Sequence, residues 1–194
     1  EDVESYDMKI SGLVCKYFSP NYSRPSATGN IQDYFDENAV VGISDVDTRA
    51  IVQHIRDRGA MNAIISSEEL DVDVLSSRLK EVPSMEGLEL SSKVCAKEPF
   101  FFGDENAEYK IAVLDIGVKK NILRCLSDRG CYLKVFPMDT TFEEIMEWNP
   151  SGFMISNGPG DPAAMPNVKD TVSKIIDSGF PVFGICLGHQ VMAI

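Results

Sequence analysis

The sequence predicts an α/β protein, a doubly wound and mostly parallel sheet preceded by a small α+β unit. Three observations predict it. From residue 110 onward, apolar runs of strand length alternate with segments of helical periodicity. Each strand is followed by a helix before the next strand, which calls for parallel pairing through right-handed crossovers. Before about residue 105 the rhythm is different, with shorter elements and a Ser-, Pro- and Asn-rich loop over residues 19–29. The expected division is residues 1–91 for the small unit, 92–109 for a linker and 110–194 for the sheet domain.

The sheet domain reads most clearly. Lys110–Ile116 (KIAVLDI) is a buried strand. Lys119–Arg129 places Ile122, Leu123 and Leu126 on one helical face, and Gly130 ends it. Cys131–Phe136 is the second strand. Thr140 and Thr141, with Glu143 and Glu144 three residues on, form a capping box for a short helix reaching Trp148. Gly152–Ser156 is the third strand. Val168, Val172, Ile175 and Ile176 share a helical face that Gly179 closes, and Pro181–Ile185 is the fourth strand.

In the small unit Lys9–Lys16 reads as a strand. Asn30 caps a helix carrying Ile31, Tyr34 and Phe35, and Val40–Ile43 is a second strand. Asp47 caps a helix whose expected core face is Ile51, Val52 and Ile55, ended by Gly59. Ala63–Ile65 reads as a short strand, and Val72, Leu75 and Leu79 mark another helix. The triplet Phe100–Phe102 is expected to pack against one of the domains.

Composition excludes several functions. Of 194 residues, 44% are hydrophobic and 25% charged, with a net charge of −12, the balance of a soluble globular chain. Nucleic-acid binding needs a basic footprint, and the densest basic group is the pair Lys119 and Lys120. No apolar run approaches the roughly 20 residues that span a bilayer. The start, EDVESYDMKI, is too acidic and polar for a signal peptide. Five cysteines lie scattered without C-x-x-C spacing, which suits reduced thiols in a cytoplasmic setting rather than disulfides or zinc.

The chemistry is carried by FGICLGHQ, residues 183–190. Gly184, Cys186 and Gly188 have the G-x-nucleophile-x-G form at a strand–helix junction, a nucleophile elbow. The central residue is forced into strained backbone, and the side chain stands at the carboxyl edge of the sheet, where open α/β sheets bind ligands. The first helical turn points free N–H groups and a positive dipole end at the thiol, favouring thiolate. Upstream, Ser156–Pro162 (SNGPGDP) follows another strand and should lie at the same edge. Its glycines bracket a proline, a rigid turn with exposed N–H groups of the kind that hold an oxyanion. One donor is expected from Gly160, the other from Leu187. His189 is the nearest candidate base, but three residues after Cys186 in one helix it is better placed to bond nearby backbone and steady the elbow. His54 is expected on a solvated helix surface.

FGICLGHQ, with ISNGPGDP upstream, resembles the class I (triad) glutamine amidotransferases over about residues 110–194. VGISDVDTRAIVQHIRDRGAMNAII (residues 41–65) and DIGVKKNILRCLSDRGC (residues 115–131) resemble the small, glutaminase subunits of carbamoyl-phosphate synthetases, so the likeness runs over nearly the whole chain. The resemblance implies hydrolysis of glutamine to glutamate and ammonia through a cysteinyl thioester on Cys186. It implies that Gly158, Gly160, Leu187 and Gln190 contact glutamine or its oxyanion. Asp45, Asp47 and Arg49 are expected to serve capping and ion pairing, not catalysis. The implied partner is a large synthetase subunit that uses ATP, magnesium and bicarbonate to make carbamoyl phosphate for arginine and pyrimidine synthesis. No metal or organic cofactor is implied for the small subunit.

Two departures follow from the same resemblance. The family's base is a histidine followed two residues later by a glutamate, in a segment beyond the elbow, which this sequence does not contain. The family's β-rich N-terminal portion, which supplies a serine to the glutamine site, is also largely missing. The expectation is an internal fragment without glutaminase activity of its own. Two alternatives stay open, an amidotransferase serving another synthetase and a non-catalytic binding module that kept the elbow.

Overall fold

The computed structural model describes residues 8–25, 27–84 and 87–194. Residues 1–7, and Ser26 within the expected 19–29 loop, lie outside the described residues. The chain falls into two units, Asp7–Met85 and Glu86–Ile194. In the first, Gly12–Val14 (β1) pairs in parallel with Val41–Ile43 (β2), joined through helix Ile31–Glu37 (α1). Asn30 caps α1, its Oδ1 accepting from Asp33 N–H at 2.8 Å. Helix Thr48–Arg58 (α2) is capped by Asp47, which accepts from Ala50 N–H at 3.1 Å, and stops at Gly59 with φ 86°. Helix Val72–Lys80 (α3) is capped by Asp71.

Two expectations for this unit are corrected. Ala63–Ile65 is not a strand, because no neighbour pairs with it among the described residues; Ile65 instead lays its side chain over Gly12. The apolar face of α2 exists but is not a core face, since Ile51, Val52 and Ile55 all remain exposed. Phe35 is the only hydrophobic residue of Asp7–Met85 buried among the described residues.

The second unit carries the sheet. Its strands are Phe100–Phe102 (β3), Tyr109–Asp115 (β4), Cys131–Pro137 (β5), Gly152–Ile155 (β6) and Val182–Gly184 (β7). Its helices are Lys120–Ser127 (α4), Phe142–Met146 (α5), Pro166–Asp177 (α6) and Leu187–Met192 (α7). The spatial order is β3-β5-β4-β6-β7. Strands β5, β4, β6 and β7 run parallel, and β3 lies antiparallel against β5. This is the doubly wound, mostly parallel α/β sheet that the sequence predicts. Residues 92–109, expected as a linker, hold β3. Three phenylalanines show no alternation to mark a strand, yet Phe101 stacks on Tyr132 of β5 with ring centres 5.5 Å apart.

Period-two alternation divides the strand residues between two cores. Ala112, Leu114 and Ile116 join Phe153 and Ile155 on the face covered by α5, α6 and α7. Val113, Leu133, Val135 and Met154 point to the face covered by α4 through Leu123 and Leu126. Of the α6 residues expected on the core face, Val168, Val172 and Ile175 are buried and Ile176 is exposed. From β4 the chain steps outward to β5, then returns to β6 on the other side. The carboxyl ends of β4 and β6 therefore flank the topological switch point, where such sheets bind ligands. No helix among the described residues is long and apolar enough to cross a membrane.

Candidate active site

The elbow is built as the sequence implies. Cys186 takes φ 52° and ψ −110°, an uncommon backbone for a residue with a Cβ. Such a conformation costs on the order of 1–3 kcal/mol and persists only where its surroundings enforce it. The flanking glycines show how. A Cβ on Gly184 would stand 2.6 Å from Met192 Sδ and 2.8 Å from the Gly188 carbonyl carbon. A Cβ on Gly188 would collide with the backbone oxygens of Ile155 and Ser156. Helix α7 can lie this close to β6 and β7 only because both positions lack a side chain. Gly188 N–H then donates to Ser156 O at 3.1 Å, locking the helix start to the end of β6. Cys186 remains exposed at this edge, while burial pushes the thiols of Cys95 and Cys131 up, away from the reactive form.

The second loop stands beside it. Ser156 is fully buried, accepts from Ile116 N–H at 2.9 Å and donates to Asn157 O at 2.8 Å. Asn157 ties across to the loop after β4, donating to Gly117 O at 3.0 Å and accepting from Lys119 N–H at 3.2 Å. Gly158 passes so close to the Ile116 carbonyl that any Cβ would overlap it, and the same Cβ would stand 3.1 Å from Leu187 Cδ2. Gly160 has φ 101°. The N–H groups of Gly160 and Leu187 find no acceptor among the described residues. Two unpaired donors, one on the loop after β6 and one opening the helix that follows an exposed cysteine, are what an acyl-transfer site requires. Asp161 holds the far end of the loop; N–H bonds from Ala163 and Gly87 keep its carboxyl below the usual aspartate range.

The structure thus gathers Cys186, Leu187, Gly158 and Gly160 at one edge of the sheet. Gln190 follows one turn after Cys186, its N–H donating to Cys186 O at 3.0 Å, and its side chain is exposed. His189 is exposed and makes no side-chain hydrogen bond among the described residues, so the bracing expected of it is not seen. His54 lies exposed in α2, in the other unit. Asp47 is a helix cap, as expected.

One residue escaped the sequence reading. Asp115 ends β4 almost wholly buried and accepts N–H bonds from Ala96, Gly117 and Val118, each at 2.8 Å. Its signal was a single acid closing the apolar run KIAVLD, a place where burial demands hydrogen-bond partners.

Residues 112–194 match the glutamine amidotransferase class-I family, and residues 1–65 match the carbamoyl-phosphate synthase small chain, CPSase domain. The carbamoyl phosphate synthase small chain of Synechococcus sp. is 40% identical over 99% of this chain and 52% of its own length. That of Syntrophotalea carbinolica is 38% identical over all of this chain and 55% of its own length. That of Chlorobaculum tepidum is 37% identical over all of this chain and 53% of its own length. The chain spans about half the length of the curated relatives it matches. The chain is thus similar over residues 112–194 to class-I glutamine amidotransferases, over residues 1–65 to the CPSase domain of carbamoyl-phosphate synthase small chains, and over its whole length to about half the length of curated small chains.

Proposed function

We propose that this chain is the core of a glutamine-hydrolysing subunit of a carbamoyl-phosphate synthetase. The observation that carries the proposal is Cys186, held at φ 52° between two obligatory glycines at the sheet edge. Its Sγ, as thiolate, attacks the side-chain amide carbon of glutamine. The carbonyl oxygen gathers the charge, and the N–H groups of Gly160 and Leu187 stabilise it. Collapse of the tetrahedral intermediate expels ammonia once a proton reaches the nitrogen. The thioester left on Cys186 is then cleaved by water, giving glutamate and the free thiol. Gly158 lets the substrate approach the loop, and Gln190 holds the amino-acid end of glutamine.

The proton carrier is neither of this chain's histidines in our reading. His54 belongs to the other unit, and His189 lies in the short helix that begins just after the nucleophile. In the family a histidine paired with a glutamate beyond the elbow does this work, and we assign the base to that segment of the longer polypeptide. The ammonia passes to a large synthetase subunit, which uses ATP and bicarbonate. We place the work of the family's sheet domain in residues 110–194. Residues 1–91 represent part of the subunit's other domain.

The test is ammonia release from glutamine by the complete polypeptide containing this chain, with and without Cys186→Ala. Turnover in the parent that drops at least about 10⁴-fold in the variant supports the reading. Equal turnover in both would remove Cys186 from the chemistry.

A further inference from the structure

Residues 87–96 run along the loop that carries Gly158 and Gly160 and are pinned at both ends. At the start, Gly87 N–H donates to Asp161 Oδ2 at 3.0 Å. At the end, Ala96 N–H donates to Asp115 Oδ2 at 2.8 Å. Between them, Asp161 N–H donates to Leu88 O at 3.1 Å and Glu89 bridges Gly160 as a one-residue antiparallel pair. Ser91, wholly buried, donates from Oγ to Pro159 O at 3.0 Å. A Cβ on Gly160 would stand 3.0 Å from both Leu88 O and Leu90 N, so the segment closes over this glycine.

Asp115 acts at a second level. Its other oxygen accepts from Gly117 and Val118, and Gly117 lies against Gly158 and Pro159, where a Cβ would come within 3.0 Å of each. One buried carboxylate therefore fixes both the segment above the loop and the turn beneath it. A Gly-Pro-Gly loop alone leaves its outer peptide planes free to tilt. Backbone ties on both sides are more than a plain strand-to-helix turn needs.

We infer that residues 87–96 form a strap that holds the Gly160 peptide in its oxyanion-binding orientation, with Asp115 and Asp161 as its positioning residues. The inference rests on the glutaminase reading, in which Gly160 N–H is a donor to the oxyanion. A donor must meet the oxyanion at hydrogen-bond distance, and small displacements erase its contribution to the transition state while leaving substrate binding nearly intact.

Two isosteric variants cut the strap at opposite ends. Asp115→Asn keeps an oxygen for Gly117 and Val118 but turns its amide toward Ala96 N–H. Asp161→Asn keeps the oxygen that accepts from Ala163 at 2.9 Å and loses the bond from Gly87. The variants are made in the complete polypeptide, with Cys186→Ala as control. The readouts are kcat and KM for glutamine and the rate of Cys186 alkylation by iodoacetamide. Each single variant is expected to lower kcat about tenfold with KM within about twofold of the parent, and the pair together about 10²-fold, near the loss of one whole oxyanion donor. Alkylation should not change, because the elbow itself is untouched. Parent-like kcat in both variants, beside Cys186-dependent turnover in the parent, overturns the strap alone. A joint loss of kcat and alkylation means the elbow collapsed, and that also overturns a role confined to the loop. A parent without Cys186-dependent turnover overturns the glutaminase reading, and the strap falls with it.

Discussion

The two units of this chain are held together in different ways. In Glu86–Ile194 eighteen hydrophobic residues are buried, against one in Asp7–Met85 among the described residues. The sheet unit layers helices on both faces of its central strands, so residues of both parities are buried, Ala112 and Leu114 on one face and Val113 and Met154 on the other. The smaller unit has a two-stranded pair of three residues each, one buried helix residue, Phe35 of α1, and an α2 whose apolar side stays exposed. Its elements are well capped, by Asn30, Asp47 and Asp71, yet capping contributes only about 1 kcal/mol per helix. Local signals can thus define a helix without supplying it a core. The strained geometry at Cys186 sits in the unit that can sustain it.

The largest expected effect comes from the sheet core. Ile155→Ala empties a fully buried position and should cost about 4 kcal/mol. Urea unfolding read by Trp148, the single tryptophan, reports on this unit directly. Gly188→Ala should cost about 3 kcal/mol through overpacking, because its Cβ meets the Ile155 and Ser156 carbonyls. It should also slow Cys186 alkylation, since α7 must move.

Smaller effects separate cap from core. Thr141→Ala should cost about 1 kcal/mol, because it dismantles the capping box with Glu144. Ile51→Ala in the smaller unit should stay within about 0.5 kcal/mol, since Ile51 is already exposed. A loss there as large as that of Ile155→Ala would break the comparison. The smallest effect is electrostatic. Bonds from the Thr141 N–H and hydroxyl lower the Glu144 carboxyl from its usual 4.5. A lowered folded value means stability is present above that pH and lost as pH falls through the folded value. Glu144→Gln should therefore be less stable than the parent near neutrality, with the gap closing in acid.

The same contrast explains what could be read from the sequence. The elbow was legible because its chemistry is local: two glycines, one cysteine and a strand–helix junction fall within five residues. Caps were legible for the same reason. Strand β3 was not, because its partner β5 lies some thirty residues on and FFF carries no alternation. The strap over residues 87–96 was hidden likewise, since its bonds to Asp115, Pro159 and Asp161 span up to 74 positions. The periodicity of α2 told which residues share a face, but periodicity cannot tell whether anything covers that face.

The most direct measurement is intact-mass labelling of the complete polypeptide with diazo-oxo-norleucine, a glutamine analogue that alkylates amidotransferase cysteines. The account predicts one adduct, at Cys186, that excess glutamine suppresses. Labelling spread to the exposed Cys125 or to the half-buried Cys15, Cys95 and Cys131, or an adduct that glutamine leaves unchanged, would contradict a glutamine site at the elbow.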